Sequence, residues 1–388
     1  MGRIPIQASS ATTVTIDGRE ILAFGGNNYA ALAHHPEVVR ALCDAAQTLG
    51  LTTTASRETT GNTTTHEALE KELAEFLGTQ AAILTTEGYT ANIALAQSLI
   101  REYKVALVDE RSHRSIGHAV AAAGFTVVPF KHLSASDAAR LAQEHAAAGV
   151  TIWTDTVFAA DGAIAPLPGL LDALPAGTGV LVADDCHGFC AIGPSGRGTA
   201  AHFGLRDLRL VTTTTLAKGL GCYGGCIAST RERIASVREH AGIYRGTTPV
   251  PPPFAHAARA AIRVMSRSTE VAERLAENTR LARAGLEGLG ITLNQDPVPI
   301  MTFTLEPREF QERVHESLLR DGILAPLIEY PGGPAERYFR VTVNAAHTPE
   351  QILRLTAAFA GQLRGWHAQQ ARPQGERVGR ARTPARAH

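Results

Sequence analysis

Short apolar runs alternate with helically spaced stripes along most of the chain. The runs at 81–84, 105–108, 126–130, 150–154, 180–183 and 208–212 read as buried strands. Helical spacing between them predicts helices over about 90–101, 116–123 and 137–148. Continuous apolar strands joined by helices predict an α/β chain with a mostly parallel sheet covered on both faces. In such a sheet ligands gather beyond the carboxyl ends of the strands. Upstream, residues 13–22 predict a hairpin around Asp17-Gly18, and Pro36 suits the first turn of a helix running to Ala46. The stripe Leu69, Leu73, Phe76 and Leu77 predicts a helix ending at Gly78. The intervening stretch 51–65, dense in Thr, Ser and Gly, predicts a loop of the kind that lines sites.

Downstream, the prolines of 249–253 break the rhythm. One long helix over 254–289 is expected next, then a strand at 298–305, a helix at 308–320, a strand at 340–343 and a closing helix over 349–367. The chain therefore divides into an N-terminal segment, 1–50, packing with a small domain; a large domain, 51–243; and a linker helix with a smaller C-terminal α+β domain, 244–368. The tail 369–388 is rich in Arg, Pro and Gly, a composition that predicts disorder.

Composition narrows the function. The formal net charge is zero over 388 residues, which excludes the basic footprint of a nucleic-acid or anionic-membrane binder. No apolar run approaches the roughly 20 residues of a membrane span, and Met1-Gly2-Arg3-Ile4-Pro5 has no signal-peptide core, so a cytoplasmic location is expected. The five cysteines are odd in number and do not suggest a disulfide framework. Two Cys-x3-Cys pairs, Cys186/Cys190 and Cys222/Cys226, raise a zinc reading, but they sit where small apolar side chains pack well and no metal is expected.

Lysine is scarce: of 37 Lys+Arg residues only Lys71, Lys104, Lys131 and Lys218 are lysine. Lys218 stands in Thr212-Thr213-Thr214-Thr215-Leu216-Ala217-Lys218-Gly219-Leu220-Gly221. An amine that can lose its proton attacks a carbonyl; an arginine cannot. Taken alone this is equally a surface lysine in a loose turn, but other strand ends join it. Gly88-Tyr89 opens a helix whose free N–H groups suit a phosphate. His113 follows the strand at 105–108 and can lay its ring on a planar ligand. Asp184, after an apolar run, needs a cation or a protonated heterocycle as partner. Together these describe a pyridoxal phosphate site.

The sequence resembles the α-oxoamine synthase family, fold-type-I pyridoxal-phosphate enzymes, from about Asp17 to Phe359. The matching segments include Asn28-Tyr29 with His35-Pro36, Gly88-Tyr89 with Ala91-Asn92, and Val157-Phe158 with Asp161-Gly162. They continue through Asp184-Asp185 with His187-Gly188, Gly196-Arg197-Gly198, Thr215-Leu216-Ala217-Lys218, and Arg340 with Ala345-Ala346-His347-Thr348. The resemblance implies that Lys218 binds the cofactor aldehyde and serves as base at the substrate α carbon. Asp184 would pair with the ring nitrogen, His113 would stack on the ring, and His187 would sit near its phenolic oxygen. Gly88, Tyr89 and Thr215 would hold the phosphate, with Thr247 or Thr248 reaching in from a second subunit of a homodimer. Arg340 would bind the amino-acid carboxylate, and Asn28 lies where the family touches substrate, although an Asn in a tight turn needs no ligand.

The implied reaction condenses an amino acid with an acyl thioester, on CoA or a carrier, with loss of the carboxylate. The departures gather on the acyl and phosphate side. Asp155-Thr156 replaces Glu-Gly, Ala159 and Glu87 stand where serines are usual, Phe189-Cys190 replaces smaller residues, and the stretch 245–253 is longer and richer in proline. The family's N-terminal helical arm has no counterpart ahead of the Asp17-Gly18 hairpin. An aminotransferase, a carbon–carbon bond-forming enzyme using another electrophile, and a catalytically silent scaffold remain as alternatives.

Overall fold

The computed structural model describes residues 5–370. Three short strands open it: β1 (Ala8–Ser9), β2 (Thr13–Ile16) and β3 (Arg19–Ala23). β2 and β3 form the expected hairpin, with Asp17 and Gly18 both at positive φ, 49° and 70°, as a tight two-residue turn requires. Helix α1 (Pro36–Leu49) carries Pro36 in its first turn, where the missing N–H leaves no gap in the helix ladder. Helix α2 (Thr64–Leu77) is capped by the Thr63 hydroxyl at one end and by left-handed Gly78 at the other.

Seven strands build the central sheet: β4 (Ala81–Thr85), β5 (Val105–Asp109), β6 (Thr126–Phe130), β7 (Val150–Asp155), β8 (Val180–Asp184), β9 (Leu210–Thr215) and β10 (Gly225–Ser229). Their order is β4-β10-β9-β8-β7-β5-β6, and β6, β5, β7, β8 and β9 run parallel. The chain steps from β5 out to β6 and then back to β7. The strand order therefore reverses between β5 and β7, the point where an open α/β sheet leaves a crevice. β5, β7, β8, β9 and β10 are buried throughout, which explains why they read as unbroken apolar or hydroxyl-bearing runs. Helices α3 (Gly88–Leu99) and α4 (Arg114–Ala123) pack on each other, burying Leu95, Leu99, Ile116 and Val120 against the sheet.

The lysine strand extends beyond the expected 208–212 to Thr215, and β10 was not anticipated. It runs antiparallel to both β9 and β4. Its apolar core, Cys226-Ile227-Ala228, is too short to stand out from the glycine run before it.

The single long helix expected over 254–289 is instead two, Pro252–Arg267 and Glu270–Glu287. Ser268 is extended between them, φ −152° and ψ 146°, and its hydroxyl accepts from Glu270 N at 3.1 Å. Such local capping competes with helix continuation. Pro252 and Pro253 start the first of these helices, since proline is tolerated there.

Strands β11 (Ile300–Phe303), β12 (Ile323–Leu324), β13 (Leu327–Ile328) and β14 (Tyr338–Thr342) follow. β11, β14 and β13 form one small sheet, whereas β12 pairs parallel with β3 and so ties the start of the chain to its last third. The closing helix is Pro349–Gln370, and of the tail expected to be disordered 371–388 lie outside the described residues. Among the described residues no helix is long and apolar enough to cross a membrane.

Candidate active site

Beyond the carboxyl ends of the parallel strands lies a cavity of about 500 Å³, walled by Gly88, Tyr89, His113, Asp155, Asp184, His187, Thr215, Lys218 and, from the C-terminal part, Tyr330, Pro331 and Gly332. Seven residues singled out from sequence therefore meet in one space: Gly88, Tyr89, His113, Asp184, His187, Thr215 and Lys218.

At one end the β4–α3 turn presents the N-terminus of α3, whose first-turn N–H groups have no intrahelical partner. Residue 88 must be glycine for reasons of space. A Cβ there would stand 2.9 Å from Thr215 Cβ and 3.2 Å from Cys186 Sγ. Thr215 Oγ1 accepts from Ala217 N and donates to Gly224 O, both at 3.2 Å, which pins the lysine loop to its own strand. Leu216 N to Gly224 O and Cys222 N to Leu216 O, both 2.8 Å, close the loop.

Asp184, at the end of β8, is 4% exposed. Its carboxylate accepts from Asn92 Nδ2 at 2.7 Å and from the Cys186 backbone N at 3.1 Å. Asn92 is itself fixed, accepting from Thr213 Oγ1 at 2.7 Å. A buried carboxylate held only by neutral donors is poised for a cationic partner. Asn92 has no role in the sequence reading. Its one signal is an amide inside an otherwise apolar helix, where a buried polar group must find hydrogen bonds. The next residue, Asp185, takes the opposite face of the strand and accepts from Thr156 Oγ1 at 2.5 Å and Thr199 Oγ1 at 2.6 Å. Burial pushes its carboxyl up to about 6.

His113 caps α4. Its backbone N donates to Asp155 Oδ2 at 2.6 Å, and its Nδ1 lies 2.8 Å from Ser115 Oγ. Burial lowers its pKa, partly offset by Asp184 and reinforced by the charge of Lys218, which favours the neutral ring. Asp155 pairs with Asp184 across β7 and β8, and burial first, then the Asp184 charge, raises its pKa far above the ordinary carboxylate range. Tyr89 meets the His113 ring edge-on, centroids 6.3 Å apart, and its hydroxyl hydrogen-bonds His118.

Lys218 Nζ lies 2.9 Å from His187 Nε2, and His187 Nδ1 lies 2.7 Å from Tyr29 Oη. Burial and then the charge of Lys218 hold His187 well below its ordinary pKa. Arg340, on β14, is not in the cavity wall. Its Nε donates to Ala159 O at 2.8 Å, and Ala159 is in the wall. Asn28 is elsewhere: its Oδ1 accepts from Ala33 N at 3.3 Å, and it borders a separate cavity of about 170 Å³. Thr247 donates to Ile243 O at 2.8 Å, Thr248 is exposed, and neither lines the cavity of its own chain. The structure also places Glu87 in the cavity wall, at the α3 end, and Ala159 there without a hydroxyl.

A buried carboxylate, a neutral imidazole plate, a helix N-terminus beside a side-chain-free glycine, and a lysine together fit one group, pyridoxal phosphate. Asp184 suits its ring nitrogen, His113 its face, the Gly88 turn its phosphate and Lys218 its aldehyde. Fold and site thus define a pyridoxal-phosphate enzyme of fold type I.

Residues 19–359 match the model of the family described as aminotransferase class I and II. The chain is 35% identical over 356 residues to 8-amino-7-oxononanoate synthase of Thioalkalivibrio sulfidiphilus, covering 90% of each chain. Against the enzyme of that name from Stutzerimonas stutzeri it is 36% identical over 358 residues, covering 92% of this chain and 91% of the other. A solved structure of serine palmitoyltransferase with PLP superposes with a TM-score of 0.87 at 27% identity, covering 93% of this chain and 92% of that one. The chain belongs to the aminotransferase class I and II family, in its α-oxoamine synthase branch, and its cofactor is pyridoxal phosphate.

Proposed function

We propose that the protein condenses an amino acid with an acyl thioester, with loss of the amino-acid carboxylate, to give an α-aminoketone. The observation that carries this is the meeting of Lys218, Asp184 and the Gly88 turn in one cavity, in a chain that aligns over nine tenths of its length with 8-amino-7-oxononanoate synthases. The name of those relatives' product describes an amine on the carbon beside a terminal methyl, next to a ketone. That pattern is what a small amino acid and an acyl group leave after carbon dioxide departs.

Bound pyridoxal phosphate supplies an electron sink for charge at the α carbon. Asp184 keeps the ring nitrogen protonated, and His113 fixes the ring plane. Lys218, as a free amine, takes the α proton, with His187 against its nitrogen. Arg340 stands behind Ala159 with its Nε and Nη2 engaged by Ala159 O and Asn27 Oδ1, and it binds the amino-acid carboxylate by exchanging those partners. Thr247 and Thr248 lie outside their own cavity and serve the neighbouring site of a homodimer, which acts in the cytoplasm.

The test has two stages. The loaded enzyme is titrated with the twenty amino acids one at a time while its cofactor absorbance is followed, and each responsive amino acid is then mixed with a panel of acyl-CoA thioesters. Thiol release with at least one pair is expected. Release with no pair, alongside keto-acid formation, would replace this reading with transamination.

A further inference from the structure

Asp184 and His113, the two side chains that suit the cofactor's ring, come from separate elements, yet one amide supports both. Asn92, on α3, is fully buried. Its Nδ2 donates to Asp184 Oδ2 at 2.7 Å and to Ser115 Oγ at 3.1 Å. Ser115 Oγ lies 2.8 Å from His113 Nδ1, and Ser115 N donates to the same nitrogen at 3.3 Å. On its other side the amide oxygen accepts from Thr213 Oγ1 at 2.7 Å. Ser115 and Thr213 are buried as well, so water has no access to compete for these contacts.

The bonding capacity of the amide is spent on this task. Its nitrogen has two protons, one for Asp184 and one for Ser115, and a carboxylate that only accepts fixes which way the group faces. The apolar neighbours on α3, Ala91, Ala94, Leu95 and Leu99, show that packing alone calls for no polar side chain at 92. In the sheet Asp184 stands between Asp155 on β7 and Thr213 on β9. Asp155 also holds His113 from behind, accepting from its backbone N at 2.6 Å. Without the amide, Asp184 keeps the Cys186 N–H but is free to turn to the Asp155 carboxyl, which burial and the Asp184 charge keep protonated. Its charge is then satisfied there and not at a ring nitrogen, while the His113 ring loses the group that backs Ser115.

We propose that Asn92 is a positioning residue that holds the carboxylate for the cofactor's ring nitrogen and the imidazole for its face in one fixed relation. This rests on the roles given above to Asp184 and His113. Asn92 itself lies outside the cavity wall and acts through those two groups.

Pyridoxamine phosphate has no aldehyde, so its binding reads the ring contacts without any bond to Lys218. The full-length chain, freed of cofactor, is titrated by calorimetry with this ligand and with an analogue whose ring nitrogen is replaced by carbon. Wild type should prefer the nitrogen-bearing ligand by about ten- to a hundredfold, the usual worth of a hydrogen bond to a charged group. Asn92→Leu should cut that preference to about threefold, whereas a merely structural role would weaken both ligands alike. Ser115→Ala should weaken both ligands by about three- to tenfold, leave the preference intact, and add nothing in a His113→Ala background.

A folded Asn92→Leu chain that keeps the full preference overturns the proposal, whether or not it binds both ligands more weakly. Complete additivity of Ser115→Ala with His113→Ala overturns it as well. If Asn92→Leu does not fold, Thr213→Val, which removes the hydroxyl that orients the amide, decides by the same preference. A wild type with no preference for the nitrogen-bearing ligand overturns the assignment of Asp184 itself, which separates that failure from this one.

Discussion

His132 sits outside the cavity yet holds part of its wall. Its Nδ1 lies 2.9 Å from Asp109 Oδ1 at the end of β5, and its Nε2 lies 3.8 Å from Asp161 Oδ2 on the turn after Phe158. The ring also packs edge-on against Phe158, centroids 4.5 Å apart. Phe158 and Ala159 line the cavity, so the imidazolium staples that wall to the sheet. Arg111 shares Asp161, and Glu110 accepts from the His132 backbone N, so the surroundings are predominantly acidic.

Although burial opposes it, the two carboxylates push the His132 pKa from 6.5 up to about 9. At 1.36 kcal/mol for each pH unit, that rise is worth about 3 kcal/mol of stability. The side chain is only 12% exposed, so solvent screening removes little of it. For a base with a raised folded pKa, the stabilisation is complete below the unfolded value near 6.5. It falls as pH rises and is gone above about 9.

Urea unfolding of wild type and His132→Asn at pH 6 and pH 10 isolates this contribution, because the other titrating groups cancel between the two proteins. The asparagine keeps a donor for Asp109. The stability gap should be about 3 kcal/mol wider at pH 6 than at pH 10. A gap of equal size at both pH values would refute the staple.

Lys218→Ala should lose the cofactor adduct trapped by borohydride and lower turnover by about 10²–10⁴-fold, the usual worth of a positioned base, as mass spectrometry and steady-state rates would register. Arg340→Lys keeps the charge but loses the fork, so the KM for the amino acid should rise about tenfold with little change in kcat. Gly88→Val drives a branched side chain toward Thr215 Cβ and Cys186 Sγ, and about 1–3 kcal/mol of overpacking should appear as weaker binding in a pyridoxal phosphate titration.

The alternation of apolar runs and helices was enough to read most of the central sheet, because a strand buried on both faces has no polar positions to blur it. The strand-end residues followed, since chemistry in such a sheet concentrates there. Three features were not legible, each for a physical reason. β10 is five residues behind a glycine run, and its identity as a strand depends on β4 and β9 standing on either side of it. The break at Ser268 is a contest between helix propensity and local capping, which periodicity does not register. Asn92, Asn27 and Tyr29 have partners 23 to 313 residues away in sequence, so their pairing exists only after folding.

The lysine loop leaves β9 and returns directly as β10, and β10 also pairs with β4, the strand that leads into the Gly88 turn. The amine and the Gly88 turn therefore hang from neighbouring strands of one hydrogen-bonded body, which sets their separation. Arg340 belongs to a different sheet, and residues 330–332 to the loop that leads into its strand. The amine and the Gly88 turn are thus built into one hydrogen-bonded unit, to which a separate stretch of the chain adds Tyr330, Pro331 and Gly332 as a wall.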